Sequence, residues 1–243
     1  MAAAIVTPAL TPARSSLRRY DPVLDSVVTV SRDRQLCVYN SSTEETRGVQ
    51  VPCWCSVGTV FAHGGAALSA RKGVSNARRV AAQVSSSWIS ALELYYPYPN
   101  VTIALCATYE STILLVDCRW AVPRKVHSLG LHGGSVRCLY LEAKRNYLFS
   151  SGFDKTINIW ELRKNKVQLG GQLIGHRKKV NGVAYYVEGK QVISAGDDGD
   201  VFVWDPASGK PAFVVHGAHD GPIEHMHWEE DHRLLITCGQ VLS

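Results

Sequence analysis

The sequence YLFSSGFDKTINIWEL (Tyr147–Leu162) recurs in outline 44 residues later as QVISAGDDGDVFVWDP (Gln191–Pro206). Both copies begin with an apolar run, pass through a turn that contains Gly and Asp, and end in an alternating run that closes on a Trp. A His precedes each copy, and four residue pairs are separated by 44 positions: His132 and His176, Ser150 and Ser194, Asp154 and Asp198, Trp160 and Trp204. Similarity at one fixed spacing predicts a repeated structural unit.

Weaker copies of the unit precede these two. In ATYESTILLVDC (Ala107–Cys118), Glu110 stands at the position of the Asp. In SVVTVSRDRQLCVYN (Ser26–Asn40), Asp33 precedes Tyr39 by six residues, the same interval that separates Asp from Trp in the clear copies. The repeat therefore extends over most of the chain.

Each unit reads as a small set of β-strands. Apolar and polar residues alternate with a period of two, and β-branched and aromatic residues are frequent in these runs, as in VRCLYLE (Val136–Glu142). Turn signals such as DDGD and PASGK fall about every ten residues. A unit is therefore predicted to be an antiparallel meander of about four strands, too small to bury both of its faces alone.

Two dipeptides connect this repeat with a known family. The sequence has GH at Gly175-His176 and WD at Trp204-Asp205, with WE at Trp160-Glu161 as a close variant. In these dipeptides and in its spacing the chain resembles the WD40 repeat β-propeller family. The resemblance implies an all-β fold of four-stranded antiparallel blades, of which about five to six blades or part-blades are visible.

The copy nearest the C-terminus is incomplete. Gly221–Trp228 and Leu234–Thr237 read as its first two strands, but Val241 stands where the Asp is expected and the chain reaches Ser243 without a third strand. An open ring would leave unpaired strand edges, which promote aggregation. The expectation is therefore a truncated propeller, with closure by a partner as the alternative.

The predicted organisation is one arm followed by one propeller. Residues 1–19 lack acidic residues and contain two prolines, which favours a disordered arm over an organellar targeting helix. The propeller is predicted to span residues 20–243. Within it we expect degenerate blades at 20–87, clear blades at about 88–130, 131–174 and 175–216, and a partial last blade at 217–243.

The repeated Ser, His and Asp permit two interpretations. One is a hydrolytic site with Ser150 as nucleophile, His132 or His176 as base and Asp154 as the residue that orients the base. The other is a buried hydrogen-bond network of the kind that WD40 blades contain. A catalytic site normally occurs once, whereas this set occurs twice, and the sequence has no Gly-x-Ser-x-Gly elbow. We therefore predict two structural sets and no enzyme.

Basic residues are the candidate interaction sites. Six lie in loops of neighbouring blades and could line one basic rim, namely Arg163, Lys164, Lys166, Arg177, Lys178 and Lys179. Such a rim would suit an acidic peptide, an anionic lipid headgroup or RNA phosphate. The tyrosine-rich stretch YYPYPN (Tyr95–Asn100) is a weaker candidate, since such residues usually pack on a blade edge.

No metal site or cofactor is predicted. Cys53 and Cys55 have no ligand partner at a suitable spacing, and His225 with His227 has no clear third ligand. The seven cysteines form no CxxC pair and no disulfide pattern, which favours a reducing compartment. The net charge of +5 permits weak contact with anionic partners without requiring it.

A narrower resemblance concerns the start of the chain. Ser26–Asn40, followed by Pro52-Cys53-Trp54-Cys55, is similar to the start of WD40 proteins that also carry a FYVE zinc finger. In that subgroup the finger interrupts the chain before the last blade. Here Trp204 runs into the next blade without zinc-binding cysteines, so lipid binding by that route is not carried over.

The function expected from these observations is a non-enzymatic WD40 scaffold. Its rim loops and top face would bind other proteins in a multiprotein complex of the cytoplasm, with nuclear or endosomal association as alternatives. Two other functions remain open: a peripheral, phosphoinositide-associated trafficking protein, and a component of RNA processing or ribosome assembly. No segment has the length and hydropathy of a transmembrane helix.

Overall fold

The computed structural model describes residues 17–23, 26–30, 35–40, 60–61, 67–68, 79–119, 123–163 and 166–239, and all regular structure in these ranges is β-strand. Among these residues the structure contains no helical segment with the length and hydropathy that a membrane crossing requires. The strands are β1 (Leu17–Asp21), β2 (Ser26–Val30), β3 (Gln35–Asn40), β4 (Val60–Phe61), β5 (Ala67–Leu68), β6 (Arg79–Gln83), β7 (Ile89–Tyr98), β8 (Val101–Thr108), β9 (Thr112–Asp117), β10 (Arg124–Gly130), β11 (Val136–Glu142), β12 (Tyr147–Gly152), β13 (Thr156–Arg163), β14 (Lys166–Ile174), β15 (Val180–Tyr186), β16 (Gln191–Gly196), β17 (Val201–Asp205), β18 (Lys210–Val215), β19 (Ile223–Glu229) and β20 (Leu234–Gly239).

Four antiparallel sheets of four strands follow one another along the chain. The first sheet has the order β1-β2-β3-β6, and the hairpin β4-β5 falls between β3 and β6 in sequence. The second (β7–β10), third (β11–β14) and fourth (β15–β18) sheets are simple meanders, and β19 pairs with β20 as a hairpin. The sequence prediction of an all-β fold with four-stranded antiparallel sheets is confirmed.

The first strands of successive sheets are neighbours. Strand β1 contacts β7, β7 contacts β11, β11 contacts β15, and β15 contacts β19. The sheets therefore fan out from a shared line of first strands, and each sheet presents its two faces to the sheets before and after it.

An apolar core fills each space between sheets. Leu148 packs with the second sheet, whereas its neighbour Phe149 packs with Tyr185 of the fourth sheet. In the same way, Val192 packs in the core that faces the third sheet, whereas Ile193 packs in the core that faces β19 and β20. Successive side chains of a strand point to opposite faces, so the second strands need apolar residues at consecutive positions.

The connections alternate between two ends of the fan because each sheet is a meander. The "His face" carries the loops before the first strands and the turns after the second strands, namely 84–88, 109–111, 131–135, 153–155, 175–179 and 197–200. The "turn face" carries the turns after the first and third strands, including 143–146, 187–190 and 206–209. A residue's place in the meander therefore determines which face it reaches.

The backbone repeats as faithfully as the side chains. In the turns after the second strands of the second, third and fourth sheets, Ser111, Lys155 and Gly199 all have a positive φ, between 64° and 75°. This conformation favours glycine, yet Ser and Lys adopt it in two of the three turns. The turn geometry is therefore imposed by the repeated hydrogen bonding around it.

The first sheet corrects one predicted boundary. Strand β1 begins at Leu17, so residues 17–19 belong to the first sheet and not to an arm ending at residue 19. Strands β2, β3 and β6 of the same sheet lie in the range 20–87, which was predicted to hold degenerate blades. Residues 1–16, like Asp33 and Val241, lie outside the described residues.

A glycine at the end of the second strand tests this packing. A Cβ on Gly196 would lie 2.5 Å from the backbone oxygen of Lys179, which cannot move without breaking the start of β15. We expect Gly196→Ala to lower the free energy of unfolding by about 1–3 kcal/mol. Gly130→Ala is the matched control, since its Cβ would meet only Thr112 at 3.6 Å. Urea denaturation of both variants measures the difference, and equal midpoints would contradict the assignment.

Candidate functional site

The second repeated set forms one chain of hydrogen bonds. The indole Nε1–H of Trp204 donates to Ser194 Oγ at 2.8 Å. Ser194 Oγ lies 2.8 Å from His176 Nε2, and His176 Nδ1 lies 2.8 Å from Asp198 Oδ2. Indole is only a donor, so Ser194 Oγ accepts from Trp204, and the Nδ1–H of the imidazole donates to Asp198.

The first set has the same geometry. Trp160 Nε1–H donates to Ser150 Oγ at 2.8 Å, Ser150 Oγ lies 2.7 Å from His132 Nε2, and His132 Nδ1 lies 2.7 Å from Asp154 Oδ2. The backbone N–H of Gly133 also donates to Asp154. This chain of hydrogen bonds joins four elements of the sheet: the loop before the first strand, the second strand, the turn after the second strand, and the third strand.

Burial separates these sets from a catalytic site. Both serines are 0% exposed, and each Ser Oγ is already engaged by an indole and an imidazole. A nucleophile must be reached by its substrate, and these hydroxyls are closed off from solvent. The geometry therefore favours a structural role for both sets, which is to hold the His-face loop and turn onto the strands.

The ion pair with His176 changes the acidity of Asp198. Burial opposes ionisation of this carboxyl, but the hydrogen bond and charge of His176, with the backbone N–H groups of Arg177 and Asp200, outweigh burial and lower its pKa to about 2. The pKa of Asp154 is lowered for the same reasons, with His132 as the main partner opposing burial. Both carboxylates therefore stabilise the fold in their ionised form.

Neighbouring units contain partial versions of the set. His219 Nε2 lies 2.9 Å from Thr237 Oγ1, which occupies the position of the serine in the β19-β20 hairpin. At the position of the Asp in the second sheet, Glu110 accepts a hydrogen bond from Ser86. The hydrogen bonding thus weakens away from the third and fourth sheets.

The comparison of the two repeat copies did not reveal Asp200, which is another buried carboxylate. Asp200 is 1% exposed and accepts from Arg177 Nη2 at 2.8 Å, His216 Nδ1 at 3.1 Å and the Gly217 backbone N–H at 2.9 Å. Burial opposes ionisation, but hydrogen bonds from the Gly217 N–H, His216 and Arg177, with the charge of Arg177, lower its pKa. Thr156 is the equivalent residue in the third sheet, so Asp200 carried no repeat signal.

The six basic candidates do not form one rim. Arg163 and Lys166 flank the turn between β13 and β14 and lie at the turn face, whereas Arg177, Lys178 and Lys179 precede β15 at the His face. The nine-residue strand β14 separates the two groups by roughly 30 Å. The prediction of a single rim was therefore wrong, because loops at opposite ends of a strand reach opposite faces. Lys164 lies outside the described residues.

Most of the basic side chains described have local partners. Arg163 pairs with Glu161 at 2.7 Å, Arg177 pairs with Asp200, and Lys179 lies 3.3 Å from Asp197 and over the ring of Phe153. Lys178 is exposed. Ion pairing at each end reduces the field that these loops present to a ligand.

The other candidates are the tyrosine-rich stretch, two histidines of β19 and two cysteines. In the stretch Tyr95–Asn100, Tyr95 is buried and Tyr98 is 41% exposed, so this stretch mostly packs at a sheet edge. His225 and His227 are both exposed on β19. Among the described residues, no group of three or more His, Cys, Asp or Glu side chains is placed to hold a metal ion. Cys53 and Cys55 lie outside those residues.

Loss of the serine tests the structural role. We expect Ser194→Ala to lower the free energy of unfolding by about 2–4 kcal/mol, because Trp204 and His176 would each lose a buried hydrogen-bond partner. Ser208→Ala, in an exposed turn, is the control and should change stability by less than about 0.5 kcal/mol. Denaturant titration followed by tryptophan fluorescence compares the two, and similar effects would refute the role.

The lowered pKa of Asp198 makes stability depend on pH. Its contribution is fully present above the unfolded pKa near 4 and is lost as pH falls through the folded value of about 2. We expect the stability of the native chain to fall between pH 4 and pH 2, and Asp198→Asn to make this part of the curve flatter. Urea midpoints measured across this range test the prediction. Asp220→Asn, an exposed carboxyl, should leave the curve unchanged.

Comparison with known proteins gives a family match for part of the chain. The model "WD domain, G-beta repeat" matches residues 123–161 and 168–205. Each matched segment covers the strands and turn that carry one of the two hydrogen-bonded sets.

Relatives of known sequence align with about half of the chain. The chain is 27% identical to "Nuclear distribution protein PAC1-1" of Uncinocarpus reesii, 26% to "Striatin-3" of Homo sapiens and 28% to "WD repeat and FYVE domain-containing protein 1" of Mus musculus. These alignments cover 50%, 49% and 49% of this chain but only 27%, 17% and 28% of the relatives. The chain thus spans less than a third of each relative's length, and the third match is consistent with the weak likeness to WD40 proteins that carry a FYVE finger. Residues 123–161 and 168–205 of this protein are therefore similar to WD40 repeats.

Proposed function

We propose that this protein is a non-enzymatic scaffold that binds other proteins through its His face. The observation that carries the proposal is a set of large apolar side chains exposed on that face: Trp88 (44%), Leu131 (56%) and Phe153 (47%). Exposed aromatic residues in one area are typical of protein-binding surfaces, where a few such side chains supply most of the binding energy.

Contacts between these residues make them parts of one surface. The rings of Trp88 and Tyr109 meet edge to face with centroids 5.7 Å apart. Tyr109 in turn accepts a hydrogen bond at its backbone oxygen from Ser135 Oγ, and the backbone N–H of Phe153 donates to the backbone oxygen of Ser135. The surface therefore bridges the second and third sheets on loops that the strands hold in place.

The non-enzymatic part of the proposal rests on the buried serines. A hydrolase would need at least one of the two Ser hydroxyls to meet substrate, and both are sealed and hydrogen-bonded to Trp. The same arrangement occurs in two adjacent sheets, as expected for a structural element that each repeat requires.

The division of basic residues between two faces favours protein partners over polyanions. A phosphoinositide membrane or an RNA strand would need one extended basic surface, and the five described candidates, Arg163, Lys166, Arg177, Lys178 and Lys179, are split between opposite ends of β14. The trafficking and RNA-processing alternatives therefore have less support than a protein scaffold.

A reducing compartment such as the cytoplasm is the proposed location. Cys106, Cys118, Cys138 and Cys238 are free thiols. Burial raises the pKa of Cys118 to about 12 and that of Cys138 to about 11, so these two thiols are protonated and unreactive at neutral pH.

Substitution on the His face tests the proposed function. We expect the double variant Trp88→Ala and Phe153→Ala to lose the stoichiometric protein partner that the native chain captures from native lysate, because the central contact area is removed. Val126→Ala is the control, since Val126 is 62% exposed but lies on the outer strand β10. Capture is quantified by mass spectrometry after circular dichroism has shown that each variant is folded. Equal recovery by all three proteins, or no stoichiometric partner at all, would contradict the proposal.

A further inference from the structure

A cleft opens on the turn face, between the second and third sheets. It encloses about 440 Å³, a volume within the range of ligand sites. The end of β7, the turn after β11 and the end of β13 supply its walls, which are Tyr95, Pro97, Arg145, Asn146, Tyr147, Glu161, Leu162 and Arg163. The cleft is separated from the His face by the length of the strands.

The wall of the cleft is rigid and aromatic on one side. The hydroxyl of Tyr95 lies 3.4 Å from Asn146 Oδ1 and 3.5 Å from the backbone oxygen of Leu162, so the ring is held between the two sheets. Pro97 and Tyr147 extend this wall. Flat rings beside a proline suit a proline or aromatic side chain of an extended peptide.

The opposite side of the cleft carries excess positive charge. Arg145 and Arg163 line it, and Lys166 is the register partner of Arg163 across the β13-β14 pair. Glu161 is the one carboxylate in the wall, and it accepts from Arg163 at 2.7 Å and from Gln168 at 3.0 Å. In the wall of the cleft, Arg145 and Arg163 thus meet one carboxylate, Glu161.

Arg145 is held by neutral groups. Its guanidinium donates to the Tyr185 hydroxyl at 3.3 Å and to the Val187 backbone oxygen at 3.5 Å, and it lies over the Tyr185 ring. Neither acceptor neutralises its charge. A carboxylate entering the cleft would gain a charge-assisted hydrogen bond that these long contacts do not provide.

We propose that this cleft binds an acidic linear peptide segment of a partner protein, with a proline or aromatic residue beside its carboxylates. The ring wall takes the apolar residue, and Arg145 and Arg163 take the carboxylates, one of which replaces Glu161 as the partner of Arg163. The proposal rests on the scaffold function and adds to it a second, chemically different binding face.

A peptide fits this cleft better than nucleic acid. Glu161 repels a polyphosphate chain that would have to cross it, and the basic residues of the His face lie roughly 30 Å away, too far to continue a phosphate track. A peptide needs only the two or three residues that the cleft volume holds.

Fluorescence anisotropy with the full chain tests the proposal. The probe is a fluorescein-labelled octapeptide of alternating Glu with Tyr and Pro, at an ionic strength of about 50 mM so that screening is limited. A matched peptide with Lys in place of Glu, and a decauridylate strand, are the comparison ligands. We expect the acidic peptide to bind in the micromolar range and the two comparison ligands to bind at least about tenfold more weakly.

Three variants separate the cleft from general electrostatics. Arg163→Gln should weaken binding about five- to tenfold, as expected for one charge-assisted hydrogen bond. Lys178→Gln removes the same charge from the His face and should change binding by less than about twofold. Glu161→Gln should strengthen binding about threefold or more, because Arg163 loses its internal competitor, and damage to the fold could not produce this gain.

The outcomes decide between explanations. Absence of binding by the native chain at about 1 mM, or equal losses for Arg163→Gln and Lys178→Gln, overturns the cleft assignment. Displacement of the peptide by decauridylate at equal concentration would make the cleft a nucleic-acid site and overturn the proposal as well. Neither result touches partner capture by the His face, which the Trp88→Ala and Phe153→Ala double variant reports separately, so failure of this inference and failure of the proposed function are distinguishable.

Discussion

The hydrogen-bonded chain from Trp through Ser and His to Asp is the constraint on which the rest of the third and fourth sheets depends. It places an indole, a hydroxyl, an imidazole and a carboxylate in a buried space, where each polar group must find a partner. In the fourth sheet every polar group of the set has a hydrogen-bond partner only when four elements are in their observed places. These are the loop before β15, the strand β16, the turn after β16 and the strand β17. The apolar residues around the set can then be close-packed without leaving a polar atom unpaired.

Polar links also position one sheet against the next. Ser90 of β7 donates to the backbone oxygen of Val136 in β11, and Asn181 of β15 donates to the backbone oxygen of Ile223 in β19. These bonds join first strands across the apolar cores, which are non-directional by themselves. Packing holds the sheets together, while the hydrogen bonds fix the register of one sheet against the next. The positions of the loops at both ends follow from that register.

How far the sequence could predict this arrangement depends on whether a feature repeats. Ser194 and Trp204 were found because their spacing from Asp198 matches the spacing in the preceding unit, and the structure brings all of them together with His176. Asp200 was missed because the other sheet has Thr156 in its place, so the signal existed only in three dimensions. The single basic rim was predicted for a different reason. The two basic groups are close in sequence, but β14 lies between them and separates them by roughly 30 Å.

The alternation of connections that separates the basic residues also gives the fold two separate sets of loops. Every meander of four strands sends its loops alternately to opposite ends, so substitutions in one set of loops leave the other set unchanged as long as the strands hold. The carboxylates of Asp154 and Asp198 are paired with histidines inside the His-face turns. The groups left exposed on that face to contact a partner are aromatic rings. On the turn face no such internal carboxylate meets Arg145, so its charge is available to a ligand. The same structural requirement that stabilises the repeat therefore leaves exposed rings on the His face and an unneutralised Arg145 on the turn face, and this difference would suit the two kinds of partner proposed above.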